Sequence, residues 1–171
     1  TTLGDLLAKM GRLDEARVQY EKSIGLAPQQ ANGQLYTKDV EYQLALGRLR
    51  LGTVLRQQGR LDDALKQSAL AEDRIKQIVE KDGKNVKWQR GLVSAHEGLG
   101  RILEAQNQLA QARQRYEQML ALVESLAAAD PRHTGWQLGL GSAHERLGQV
   151  LEKQNQLENA REQFERMRAI V

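Results

Sequence analysis

The stretch Ser94–Leu109, SAHEGLGRILEAQNQL, returns almost unchanged as Ser142–Leu157, SAHERLGQVLEKQNQL. The offset is 48 residues, and between Trp88 and Val123, 22 of 36 positions match their counterparts one offset later. Agreement at that density marks a tandem repeat. Carried back through the chain, the offset finds two further copies. Leu-Gly recurs at Leu3-Gly4, Leu51-Gly52, Leu99-Gly100 and Leu147-Gly148. Another Leu follows ten residues after each (Leu13, Leu61, Leu109, Leu157), and an Ala three after that (Ala16, Ala64, Ala112, Ala160). Four residues further stand Tyr20, Ser68, Tyr116 and Phe164. A catalytic centre needs its His-Glu pair in one special place, so writing that pair twice points to architecture.

Each copy reads as two helices. Leu92, His96, Leu99 and Leu103 are spaced to share one helix face, and Leu109, Ala112, Tyr116, Met119, Leu120 and Val123 do the same for a second helix. Between them stands Gly11, Gly59, Asn107 or Asn155, residue types that tolerate the left-handed backbone ending a helix. Asp14-Glu15, Asp62-Asp63 and Glu158 then open second helices, where the macrodipole favours negative charge. Asp82-Gly83 and Asp130-Pro131 are stop signals.

Composition agrees. Ala, Leu, Gln, Glu and Arg dominate 171 residues with two Pro and one Phe, so an all-α chain is expected. Twenty-five basic and 22 acidic residues leave +3, scattered rather than blocked, which predicts neither a nucleic-acid nor a membrane footprint. There is no cysteine, hence no disulfide framework or thiolate metal site. No apolar run has the length of a membrane span, and the chain reads as soluble and cytoplasmic. It opens at Thr1 without Met and is expected to be a fragment of a longer protein.

Leu-Gly, a Gly or Asn turn, then Ala and an aromatic four residues later resembles the tetratricopeptide repeat, with its signature W-x2-L-G-x2-Y…A-x3-F…P. Pro28 supplies the terminal Pro of the first copy. Arg48, His96 and His144 stand where the family has Trp, and Leu7, Leu55, Leu103 and Leu151 where it has Tyr. The period is 48 rather than 34, which lengthens each helix by roughly two turns. Long units opened by Trp-Gln, as at Trp88-Gln89 and Trp136-Gln137, look like those of large bacterial multidomain proteins. The resemblance implies an all-α fold, a right-handed α-solenoid of stacked antiparallel helix pairs, as one domain over 1–171 with units of about 1–34, 35–82, 83–130 and 131–171.

The chemical readings are weak beside this. His96 and His144 fall at a packing position, Gly100 and Gly148 stand four residues on where HExxH would need a second ligand, and the only nearby hydroxyls, Ser94 and Ser142, repeat too. On this reading side-chain volume is what matters, and Phe should replace both histidines. Gly98-Leu99-Gly100 and Gly139-Leu140-Gly141 do not complete GxGxxG and follow no strand, so close helix approach is their expected role. Trp88 and Trp136 are expected to pack between repeats. The basic stretch Lys76, Lys81, Lys84, Lys87 and Arg90 is interrupted by Glu80 and Asp82 and reads as solvated. Neither metal, cofactor nor catalysis is expected.

What the resemblance implies about function is a noncatalytic scaffold whose first helices line a concave groove for a peptide or helix of a partner. Its groove positions fall on Leu49, Thr53, Arg56 and Gln57; Glu97, Arg101, Glu104 and Ala105; Glu145, Gln149, Glu152 and Lys153; and, in the first copy, Asp5, Ala8 and Lys9. Rows formed by Glu97 with Glu145 and Glu104 with Glu152 favour a neutral or basic partner over an acidic one. The alternative is a self-association or autoinhibitory module of a larger bacterial signalling protein. Weak end-to-end pairing is also expected, through the terminal stripe Leu157, Ala160, Phe164, Met167 and Ile170.

Overall fold

The computed structural model of the chain describes residues 2–30, 37–83 and 85–170. The expected unit boundary at 34/35, and Thr1, Lys84 and Val171, lie outside these. Helices run in pairs: α1 (Leu3–Lys9) with α2 (Leu13–Gln30), α3 (Lys38–Gln57) with α4 (Leu61–Lys81), α5 (Val86–Ala105) with α6 (Leu109–Ala129), and α7 (Thr134–Lys153) with α8 (Leu157–Arg168). No strand occurs among the described residues. The chain divides into two compact units, Thr1–Gly98 and Leu99–Val171, and α5 contributes to both.

The turn inside each pair is one device used four times. Gly11 and Gly59 have φ of 75° and 76°, and Asn107 and Asn155 have φ of 59° and 60°. This left-handed residue lets the next amide reach back to a carbonyl of the last turn: Arg12 to Leu7, Arg60 to Leu55, Gln108 to Leu103 and Gln156 to Leu151, at 2.8–2.9 Å. The otherwise unpaired carbonyls of the helix end are thereby satisfied. Acidic residues do stand in the first turns of α2, α4 and α8.

Leu-Gly and the residue 16 positions after its Gly explain one another. A methyl group built on Gly4 would stand 2.7 Å from the Tyr20 ring, on Gly100 2.3 Å from the Tyr116 ring, and on Gly148 2.6 Å from the Phe164 ring. In the second copy it would meet Ser68 Oγ at 2.2 Å. The glycine is thus the flat seat on which the second helix rests its large side chain, and only a missing Cβ allows it. Of the other glycines expected to permit close approach, Gly139 faces Val123 at 3.0 Å, while Gly98 and Gly141 meet nothing within 4 Å.

In the first unit α2 packs on α1 and α3, and α3 on α4. Its core gathers Tyr42 and Ala45 of α3, Ala71, Ile75 and Ile78 of α4, and Trp88 and Ala95 of α5, with Leu46, Leu49 and Leu92 against them. In the second unit α7 packs between α6 and α8. There Ala112, Tyr116, Val123, Ala143 and Val150 are fully enclosed. Both tryptophans are buried, Trp136 stacking on His133 with centroids 4.7 Å apart.

Candidate protein-interaction surface

The polar positions of the first helices are set by the apolar ones. Once Leu51, Val54 and Leu55 of α3 and Leu147, Val150 and Leu151 of α7 turn inward, the residues between them must face outward. Thr53, Gln57, Glu152 and Lys153 are exposed, as is Ala105; Leu49, Arg56, Glu97, Arg101, Glu104, Glu145 and Gln149 are half-buried. Thr53 turns its hydroxyl back to the Leu49 carbonyl at 3.1 Å, and Gln149 donates to Glu145 at 3.2 Å.

Glu104 is more than a surface charge. The Tyr116 hydroxyl donates to its Oε2 at 2.8 Å, and Lys153 of α7 donates to its Oε1. Burial alone would raise the Glu104 carboxyl, yet Lys153 and the Tyr116 hydroxyl outweigh it and hold the group below its ordinary range. Tyr116 moves the opposite way, raised first by burial and then by Glu104. Asp5 repeats the arrangement in the first unit. It accepts from the Tyr20 hydroxyl at 2.7 Å and from the Thr2 amide at 2.8 Å, and Arg50 lies 3.3 Å away. Burial is again overcome, here by Thr2 and Tyr20 with Arg50 assisting, and the Asp5 carboxyl is lowered. The sequence reading had Glu104 and Asp5 as open groove positions. The structure makes each the acceptor for the tyrosine seated on its repeat's glycine, Asp5 one residue and Glu104 four residues after that glycine; Glu152 stands at the same place in the Phe164 copy, so spacing alone did not mark the pairing.

His96 and His144 are buried, each 5% exposed. His144 Nδ1 lies 2.9 Å from Gln163 Oε1, and Arg48, at the corresponding position, donates to Gln67 at 2.7 Å. His96 Nδ1 stands 3.1 Å from Oε1 of Glu72, itself buried and 2.9 Å from Lys76 Nζ. The expectation that volume alone matters here is therefore corrected. A Phe at 96 would take a polar neighbour from a buried carboxylate, which costs more than its shape gains. Among the described residues no three His, Cys, Asp or Glu side chains gather into a metal-binding group. Nor is any described helix long and apolar enough to cross a membrane. Of the basic stretch, Lys76 pairs with Glu72 and Lys87 with Asp39 at 2.8 Å.

Residues 1–30, 45–66 and 93–118 match the tetratricopeptide repeat family. In these stretches the chain is similar to tetratricopeptide repeats. The crystal structure of BtubC (BKLC) from P. vanneervenii is similar at a TM-score of 0.51 and 16% identity, over 98% of this chain and 76% of that one. TPR-like repeats from Podosopora anserina align at 0.42 and 14% identity over 98% and 91%, and MamA at 0.40 and 15% over 99% and 95%. No curated protein matches the chain. The tetratricopeptide repeats and the BtubC-like fold make the chain an all-α helical-repeat protein of the α-solenoid class, and repeats of this kind serve as protein-interaction scaffolds.

Proposed function

We propose that the chain is a noncatalytic scaffold that holds a peptide or helix of a partner against polar faces of its first helices, in the cytoplasm of a bacterial host whose multidomain proteins carry long repeats of this type. The observation that carries this reading is the repetition itself: every polar constellation that could do chemistry, the His-Glu pair included, recurs or is tied into packing. Neutral or basic partners suit the face better than acidic ones, since Glu152 is exposed and Glu145 half-exposed, while the Glu104 charge is already met by Lys153.

Calorimetry with amphipathic peptides that share one apolar pattern and differ in net charge tests this. Reversing Glu145 and Glu152 to Lys should weaken the basic peptide about tenfold and strengthen the acidic one. Unchanged affinities for both would remove this face from the account. A second reading, self-association through α8, rests on Leu157, 58% exposed beside Ala160 and Phe164 in a recess of about 350 Å3.

A further inference from the structure

A cleft of about 490 Å3 opens between α3 and α5, wholly within the first unit. Both walls are interior helices of 20 residues. Leu46 and Val86, the latter 44% exposed, give it an apolar lining, and the exposed Lys87 and Arg90 give it a basic one. Its floor is fixed. Tyr42 lies buried on Gly91, where a methyl group would come within 2.5 Å of the ring, and its hydroxyl donates to the Lys87 carbonyl at 2.6 Å.

Stacking does not account for the two cations. The cleft sits mainly on the turns that precede residues 45 and 93, where the family match in each of these helices begins. Around it the framework is copied: Trp88, Gln89 and Leu92 return as Trp136, Gln137 and Leu140. Lys87 and Arg90 are not copied. Gly135 and Leu138 stand in their places one repeat later, and Asp39 and Tyr42 one repeat earlier. Residues that build a stack are needed in every copy, so a charge written once belongs to something other than the stack.

The charge is also unspent. Lys87 Nζ lies 5.3 Å from the centre of the Tyr42 ring and donates to Asp39 at 2.8 Å, while Arg50 meets Asp5 at 3.3 Å. Among the described residues no carboxylate pairs with Arg90. Burial raises the Tyr42 hydroxyl above its ordinary range, and Lys87, Arg90 and Arg50 all oppose that rise, so three cations converge on one phenol. An apolar recess beside an unpaired guanidinium suits an apolar side chain that has a carboxylate next to it.

We propose that this cleft binds an acidic segment of a partner protein, seating one aliphatic or aromatic side chain against Leu46, Val86 and Tyr42 and pairing an adjacent carboxylate with Arg90. The site goes beyond the groove reading, which rests on Glu145 and Glu152 and favours the opposite charge.

The probe is a rhodamine-labelled peptide, GGLELEGG, titrated into the whole chain and followed by anisotropy beside its amide counterpart GGLQLQGG and its basic counterpart GGLKLKGG. A dissociation constant on the order of 10⁻⁴ M is expected for the acidic peptide, because a short flexible chain must be ordered on binding. Arg90→Gln should weaken it about fivefold or more with the circular dichroism spectrum unchanged, and should leave the amide peptide as it was. Val86→Asp puts a carboxylate into the cleft at a helix N-terminus that favours it, and should abolish binding of the acidic peptide. Arg132→Gln makes the same change of net charge at an exposed residue that does not line the cleft, and should leave the parent affinity. Equal affinity for the acidic and amide peptides overturns the proposal. So does a loss in Arg132→Gln as large as that in Arg90→Gln, or no binding of the acidic peptide at millimolar concentration. Binding of the basic peptide alone would overturn this site and leave the groove reading standing, whereas reversal of Glu145 and Glu152 tests only that reading.

Discussion

The second and third repeats put different side chains on the same seat. In the third, Tyr116 lies across Gly100, and its hydroxyl runs on to Glu104. In the second, Ser68 stands over Gly52, and Arg56 occupies the position of Glu104. The fourth has Phe164 over Gly148, with Glu152 exposed at the Glu104 position. The first has Tyr20 over Gly4 and Ala8 at that position, and its hydroxyl finds Asp5 instead. What the copies share is the missing Cβ. A buried phenol needs an acceptor at the far edge of its ring, so both tyrosines end on a carboxylate, whereas Glu152 beside the hydroxyl-free Phe164 stays exposed.

The largest effect should come from giving the seat a side chain. Gly100→Ala places a methyl group 2.3 Å from a fully enclosed ring that cannot move aside, and a loss of about 3 kcal/mol is expected in chemical denaturation. Gly52→Ala meets a serine oxygen that can rotate away and the Ala64 carbonyl at 3.2 Å, so about half that loss is expected. Gly98→Ala, with nothing within 4 Å, should gain about 0.5–1 kcal/mol from helix propensity. Equal losses at Gly100 and Gly98 would dissolve the idea of a seat.

Much of this was legible from the chain alone, because spacing dictates it. Helix pairs, left-handed turns at Gly11, Gly59, Asn107 and Asn155, and the inward Trp88 and Trp136 all follow from periodicity and residue type. Partners across helices were not legible. Nothing local ties His96 to Glu72, 24 residues back, and the Glu104 position reads as outward-facing until Tyr116 and Lys153 arrive from two other helices.

Tyr116→Phe sharpens the comparison by turning the third repeat into the fourth. The ring stays and the hydrogen bond to Glu104 goes, for a loss of about 1 kcal/mol at neutral pH. Glu104 has a depressed folded value, so its contribution is present above its ordinary 4.5 and is lost as the pH falls through that depressed value. The gap between parent and variant should therefore be full at neutral pH and close below about pH 4.5. A gap independent of pH would mean that the hydroxyl does not act through the carboxylate.

The smallest effect is expected from the largest exchange, and it tests most directly whether the copies are interchangeable structural parts. Replacing residues 94–109 by the sequence of 142–157 changes four positions: Gly98→Arg, Arg101→Gln, Ile102→Val and Ala105→Lys. Ile102 is enclosed, so its shortening should cost about 1 kcal/mol, and the loss of a helical glycine at 98 should return about as much. The measurement is the unfolding free energy of this chimera by denaturant, with helicity recorded alongside. The account predicts a value within about 1 kcal/mol of the parent and an unchanged spectrum. A loss beyond about 3 kcal/mol, or a fall in helix content, would contradict it, because the two copies would then be doing different jobs.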